Sequence, residues 1–131
     1  VAILPSQIVV SNASYEEMIL GIKRDPLCGP GVLCGLGGIL VEVLKDVAIG
    51  IPPLSRQQAS DMIQRLRGVA ILGGVRGKPP ADTDALCDAI VGLANLAVSL
   101  GDQLNGIDIN PLIVLPKGQG VVAVDALVEI N

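Results

Sequence analysis

The sequence contains no histidine, no phenylalanine and no tryptophan, and Tyr15 is its single aromatic residue. The lack of histidine excludes Ser-His-Asp and Cys-His catalysis within this chain, together with histidine-ligated metal sites. The lack of aromatic rings leaves no platform on which nucleic-acid bases could stack. Any core must therefore be built from aliphatic side chains.

Basic residues are also few, with nine Lys and Arg against 13 Asp and Glu and a net charge of -4. They are scattered along the chain, which argues against a nucleic-acid partner. The three cysteines, Cys28, Cys34 and Cys87, have no CxxC spacing, so we expect small buried thiols in a reducing cytoplasm rather than a disulfide or zinc site. No apolar run reaches the roughly 18 residues of a membrane span, so no membrane partner is expected.

What the sequence does contain is typical of a turn-rich protein with helices and strands. Half of its 131 residues are hydrophobic, and 16 Gly and 9 Pro separate runs of Val, Ile and Leu. This length and composition predict a single domain over residues 1–131. The chain starts without Met and without a basic leader, so we expect it to be an interior stretch of a longer polypeptide.

The order of predicted elements favours an α+β fold. Glu16–Asp25, a short run ending near Gly38, and the run up to Pro52 read as strands. Ser55–Arg67 reads as a helix that opens with a capping box, and a second helix starts near Asp82 and stops at Gly101. The hairpin that follows completes a largely antiparallel sheet, which we expect the two helices to cover on one side.

The last hairpin places polar residues among apolar ones. If Leu115 pairs with Gly120, opposed residue numbers sum to 235, and Asn110 then faces Asp125 with Cβ atoms roughly 5 Å apart. Asp108 falls on the same polar side, whereas Ile107 and Ile109 face the helices. Two or three hard oxygens on one face suit Mg²⁺, although a solvated sheet face with a hydrogen-bonded Asn-Asp pair fits the pattern too.

Two loops could contact phosphate. The cluster "GPGVLCGLGGILVE" lacks the spacing of a dinucleotide fingerprint or a Walker A loop. It is read either as a tight turn or as a backbone that approaches an anion at Gly37 and Gly38, with Glu42 just beyond. In "GVRGKPP", Arg76 and Gly77 precede a helix, where a guanidinium and a helix N-terminus can bind phosphate together; a solvated loop is the alternative.

Three segments in order, "EEMILGIKRDPLCGPGVLCGLGGILVEVLKDV", "GVRGKPPADTDAL" and "DINPLIV...VAVDALV", resemble the C-terminal lobe of the ATP-grasp part of ADP-forming acyl-CoA synthetases. That family includes ADP-forming acetyl-CoA synthetases and is related to the β part of succinyl-CoA synthetases. The resemblance implies Mg²⁺ ligands at Asn110 and Asp125, and elements facing ATP or ADP at Gly37, Gly38, Glu42, Arg76 and Gly77.

The resemblance also implies a reaction. Acid, CoA and ATP would give acyl-CoA, ADP and phosphate through a phosphohistidine on another domain or subunit, which would also bind CoA. The second lobe of the nucleotide cleft has no counterpart here, so we expect this lobe alone to be inactive. A regulatory or degenerate module of an acyltransferase, and a non-catalytic interaction domain, are the alternatives, and self-association into a homo-oligomer is left open.

Overall fold

The computed structural model describes residues 2–3, 15–37, 46–74 and 77–131. In these ranges seven strands form one sheet and two α-helices are present, with two short 3₁₀ helices at Val69–Gly73 and Gly101–Gln103. The helices are α1 (Arg56–Gln64) and α2 (Thr83–Leu100). The strands are β1 (Ala2–Ile3), β2 (Glu16–Asp25), β3 (Gly29–Leu36), β4 (Val47–Gly50), β5 (Leu104–Val114), β6 (Val121–Ala123) and β7 (Ala126–Ile130).

The sheet is largely antiparallel, as predicted. Its strand order is β1-β6-β5-β2-β3-β4, and β7 pairs with β5 further along the same side as β6. Only β1 and β6, among the described pairs, run parallel. The β2–β3 hairpin turns at a carboxylate, because Asp25 accepts the N–H groups of Leu27 and Cys28 at 2.8 and 2.9 Å. Both hydrogen bonds lower the pKa of Asp25, and the one from the Cys28 N–H has the larger effect.

Helix α1 opens with the predicted capping box. The Ser55 hydroxyl accepts the Gln58 N–H at 3.1 Å, and the Gln58 side chain accepts the Ser55 N–H at 2.8 Å. The helix ends at Gln64, three residues before the predicted end. The buried Asp46 carboxylate explains the difference, because it accepts the N–H groups of Arg67 and Gly68 at 2.7 Å each. Because these two N–H groups donate to Asp46, they do not form the backbone hydrogen bonds that would continue the helix.

Helix α2 starts and stops where the sequence predicts, with Asp82 as N-cap and Gly101, at φ +52°, as C-cap. With the following 3₁₀ turn it is long and apolar enough to cross a membrane, at a mean hydropathy of 1.4. In this fold one face packs onto the sheet, as in a core helix. Its buried residues are Leu86, Cys87, Ala89, Ile90, Leu93, Ala94 and Ala97.

The C-terminal end of α2 is held by Arg24 of β2. Its guanidinium donates to the carbonyl of Gly101 at 2.6 Å and to that of Leu104 at 2.8 and 3.0 Å. A cation at this position satisfies carbonyls that a helix end leaves unpaired. Arg24, in the Lys-Arg-Asp run at the end of β2, therefore has a structural role.

The core lies between the helices and one face of the sheet. On β2 and β3 the buried side chains alternate as in a half-covered sheet, with Met18, Leu20, Val32 and Cys34 all at 0% exposure. The opposite face of the sheet is open. Burial raises the pKa of the Cys34 thiol to about 12 and also raises that of Cys87, as expected for inert core thiols. The expectation was wrong for Cys28, which is exposed because it lies in the β2–β3 turn.

A β-bulge interrupts β5 at the polar motif. Met18 pairs with Leu112 and Leu20 pairs with Ile109, so Asn110 and Pro111 lie together opposite one residue of β2. The extra residue shifts the alternation by one. Ile107 and Leu112 are therefore both buried on the helix side, at 6% and 0% exposure, although strict period-two alternation would place them on opposite faces.

Candidate functional site

The predicted register of the last hairpin is confirmed. The turn closes with Leu115 N–H donating to Gly120 O at 3.0 Å. Around Asn110, the numbers of paired residues sum to 235, as predicted. Leu112 pairs with Ala123 on β6, and Ile109 pairs with Ala126 on β7. Between these two pairs, Asn110 N–H donates to Asp125 O at 3.1 Å. Asn110 and Asp125 therefore lie directly opposite one another, at the break between β6 and β7.

The bond that joins Asn110 and Asp125 runs between their backbones, and the structure shows none between their side chains. Both residues are exposed, as is Asp108 two positions earlier on β5. The hydrogen-bonded Asn-Asp side-chain pair that the sequence left open is thus not formed. The two oxygen-bearing side chains are left available to a ligand.

This donor set fits a partly hydrated magnesium ion. Mg²⁺ in nucleotide sites takes one or two carboxylates and fills its remaining positions with water and phosphate oxygens. The described residues contain no cluster of three or more His, Cys, Asp or Glu side chains suited to a metal. The pair would therefore hold a metal only together with a ligand such as a nucleotide, and not as a closed protein cage.

Asn110 stands at the side of a groove of about 610 Å³ on the open face of the sheet. Gly21 keeps the floor low, because a Cβ on this residue would lie 2.8 Å from Ile107 O. Among the residues that line it, apolar Ile19, Leu33 and Val47 come from β2, β3 and β4, on one side of the groove. Polar lining residues come from β2, β5 and β7, and include Lys23, Asn105, Asp108, Asn110 and Glu129.

Of the three residues predicted to face a nucleotide in the glycine cluster, Gly37 lies within the described residues. Gly37 donates its N–H to Glu17 O at 2.7 Å, and a Cβ at this position would lie 2.9 Å from the same oxygen. A glycine is thus needed for close packing against β2, and its N–H is not free for an anion in this arrangement. Gly38 and Glu42 lie outside the described residues. Their nearness to a nucleotide, like that of Gly37, stays a prediction.

The loop that contains Arg76 and Gly77, here called the Arg-Gly loop, has its two ends in close contact. Gly74, at φ +87°, lies so close to Lys78 and Pro80 that a Cβ would meet their backbone at 2.8 and 2.9 Å. Lys78 forms an ion pair with Glu16 at 3.4 Å. Gly77 is exposed at φ +78°, and its phosphate role stays a prediction, as does that of Arg76, which lies outside the described residues.

Asp82 contacts the hairpin that carries Asn110, and the sequence did not predict this contact. It was expected only near the start of α2, yet its carboxylate also accepts the N–H groups of Gly118 and Gly120 at 3.1 and 2.8 Å. Burial alone would raise its pKa. The N–H groups of Ala85, Gly120 and Gly118 and the charge of Lys117 outweigh that effect, so the pKa of Asp82 is lowered. Glycines at alternate positions of the turn were the available signal.

The sequence profile of a family described as "ATP-grasp domain" matches residues 5–130. Among curated proteins, the β subunit of acetate–CoA ligase (ADP-forming) II from Pyrococcus furiosus is 41% identical over 111 residues, which are 85% of this chain and 47% of that subunit. The 4-hydroxybutyrate–CoA ligase (ADP-forming) of Nitrosopumilus maritimus is 41% identical over 105 residues, 80% of this chain and 15% of that protein.

A solved structure is similar to most of this chain. It is the dinucleotide-forming acetyl-coenzyme A synthetase 1 of Candidatus Korarchaeum cryptofilum, in complex with coenzyme A and Mg-AMPPCP. The two chains share 38% identity with a TM-score of 0.82, and the match covers 88% of this chain and 53% of that one. The present chain thus spans about half, or less, of the proteins it matches.

Proposed function

Because the chain belongs to the ATP-grasp family, we propose that it forms the C-terminal nucleotide lobe of an ADP-forming acyl-CoA synthetase. The full enzyme would convert an acid, CoA and ATP into acyl-CoA, ADP and phosphate. The observation that carries the proposal is the opposition of Asn110 and Asp125 beside the open groove. This backbone pairing supports a joint role for the two residues that the family resemblance selects.

In this proposal Asn110 and Asp125 hold Mg²⁺ together with the nucleotide. The ion would neutralise charge on the phosphates as phosphoryl transfer proceeds. The chain's own contribution is positional: β5 and the segment that joins β6 to β7 would fix two oxygen donors, while the apolar side chains of β2, β3 and β4 would offer a surface for the base of ATP or ADP. Arg76 and Gly77 would approach the phosphates from the loop before α2.

The remaining chemistry belongs to other parts of the enzyme. A chain without histidine cannot carry the phosphohistidine, so that group and the CoA site would lie on a partner domain or subunit. Relatives named for acetate and for 4-hydroxybutyrate are equally similar to this chain, at 41% identity. That equality supports a choice of acid made outside this lobe. Three free thiols support a cytoplasmic location.

The test is Asp125→Asn, with Asp61→Asn as a matched control. Both changes remove one exposed carboxylate, but Asp61 lies on α1, on the opposite side of the sheet from the groove. In the full-length enzyme Asp125→Asn should lower Mg²⁺-dependent activity by about a hundredfold or more, because several kcal/mol of charge stabilisation depend on the metal. The control should keep its activity.

Stability separates this proposal from a structural role. Asp125 is exposed and its side chain is not bonded to that of Asn110, so Asp125→Asn should change the free energy of unfolding of the 131-residue chain by less than about 0.5 kcal/mol. A large loss of stability together with an unchanged Mg²⁺ requirement would make the pair a sheet contact and overturn the magnesium assignment.

A further inference from the structure

The Asp82 carboxylate joins three parts of the chain that are distant in sequence. One oxygen accepts the N–H of Ala85 at 3.1 Å and so caps α2. The other accepts the N–H groups of both Gly118 and Gly120, inside the turn that connects β5 to β6. Only 7% of the residue is exposed, so water does not compete freely for these bonds.

The backbone around Asp82 follows the same turn. Asp82 N–H donates to Leu115 O at 2.8 Å, and Lys117 N–H donates to Pro80 O at 2.9 Å. Ala81 forms an isolated antiparallel bridge with Pro116. The end of the Arg-Gly loop is therefore hydrogen-bonded through its backbone to one side of the turn. The Asp82 carboxylate adds the bonds to the two glycines of the turn.

Turn geometry fixes the register of a hairpin, and a slip of one residue moves every side chain of a strand to the other face. Here the turn contains two glycines at positive φ, Gly118 at +86° and Gly120 at +91°, whose conformational freedom works against a single register. Strand β6 has only three residues to resist a slip. The bonds to Asp82 supply the constraint that the turn lacks by itself.

We infer that Asp82 is a positioning residue: it fixes the β5–β6 turn and thereby holds Asn110 opposite Asp125. As far as metal binding is concerned, this inference rests on the proposed function. It goes beyond helix capping, because a cap needs only the bond to Ala85. The two bonds to the glycines would serve no purpose for α2.

The capping and positioning roles can be separated by substitution. Asp82→Ser keeps an N-cap of comparable quality, yet its short hydroxyl cannot also span Gly118 and Gly120. Asp84→Asn is the matched control, because it removes a carboxylate from the same first turn of α2 without touching the hairpin. Asp82→Asn is a second variant that keeps one acceptor oxygen, and it should give an intermediate result.

The primary measurement is amide hydrogen exchange on the 131-residue chain. The reporters are the N–H groups of Asn110 and Val124, which donate to Asp125 O and Pro111 O at 3.1 Å each. In Asp82→Ser both should exchange at least tenfold faster than in the unmodified chain, while amides of the β2–β3 hairpin change by less than threefold. If the reporters accelerate no more than the β2–β3 amides, Asp82 is a cap only and the inference fails.

A metal titration adds a readout that simple destabilisation would not move. In the presence of saturating ADP, Mn²⁺ should broaden the resonances of Asn110 and Asp125, and in folded Asp82→Ser the apparent Kd for Mn²⁺ should rise about tenfold, with no change in Asp84→Asn. Unchanged Mn²⁺ affinity in Asp82→Ser would overturn the positioning role. If the unmodified chain binds no Mn²⁺ at these residues even with ADP present, the magnesium proposal fails, and the exchange result alone decides whether Asp82 fixes the register.

Discussion

The carboxylate of Asp46 should be one of the largest single contributors to stability outside the apolar core. It lies just before β4, is 7% exposed, and accepts the N–H groups of Arg67 and Gly68 at 2.7 Å each. Hydrogen bonds to a charged group are worth about 1.5–3 kcal/mol each. Asp46→Asn keeps one acceptor oxygen but turns an amide N–H₂ toward the second donor.

The expected cost follows from that mismatch. One charge-assisted bond is lost and a partly buried backbone N–H is left without an acceptor, so the free energy of unfolding should fall by about 2–3 kcal/mol. For a chain of this size that corresponds to a urea midpoint about 1–2 M lower. Far-ultraviolet circular dichroism is the suitable signal, because the chain has no tryptophan.

Asp61→Asn is the comparison variant, since Asp61 is exposed and its carboxylate, within the described part of the chain, accepts a hydrogen bond from Gln57 on its own helix alone. It should shift the unfolding free energy by less than about 0.5 kcal/mol. If Asp46→Asn shifts it no further than Asp61→Asn does, the buried carboxylate is not the reason α1 stops at Gln64, and the explanation given for the helix end is wrong.

Two further predictions concern titratable groups. The lowered pKa of Asp82 means that its contribution is complete above the ordinary carboxyl value near 4 and is lost as the pH falls through the lower native value. The difference in unfolding free energy between the unmodified chain and Asp82→Asn should therefore shrink between pH 4 and lower pH, and a constant difference would refute an ionised Asp82. Native iodoacetamide labelling at pH 8, read by mass spectrometry, should modify Cys28 and spare Cys34, whose pKa of about 12 and burial leave almost no reactive thiolate. Equal labelling rates at the two cysteines would contradict the core position of Cys34.

Local signals in the sequence were sufficient for much of the fold. The capping box at Ser55, the glycine stop at Gly101 and the strand at Glu16–Asp25 all depend on residues near in sequence, and each is observed. The hairpin register followed from one assumed pair, Leu115 with Gly120, because a single pair sets every other pair along two regular strands. This register brings Asn110 and Asp125 together.

What the sequence did not predict depends on distant partners. The bulge at Asn110 forms in the pairing with β2, some 90 positions earlier, and its local signal in β5 is Pro111, which has no N–H to donate to the ladder. Asp46 and Asp82 look like ordinary polar residues until the backbone donors of another segment surround them. Carboxylates that organise backbone N–H groups leave little pattern in the sequence, because their partners can be any residue type.

The bulge also constrains how this segment can change in length. Deleting one residue at Asn110–Pro111 would remove the bulge and restore simple alternation along β5, with Leu112 and Val114 still facing the core. It would, however, offset β5 by one residue against β6 and β7, which have no matching extra residue. A one-residue deletion here would thus break the opposition of Asn110 and Asp125 without unpacking the core. The surface turn at Gly29 carries no such coupling, because it is exposed to open space and length changes there leave the β5 register intact.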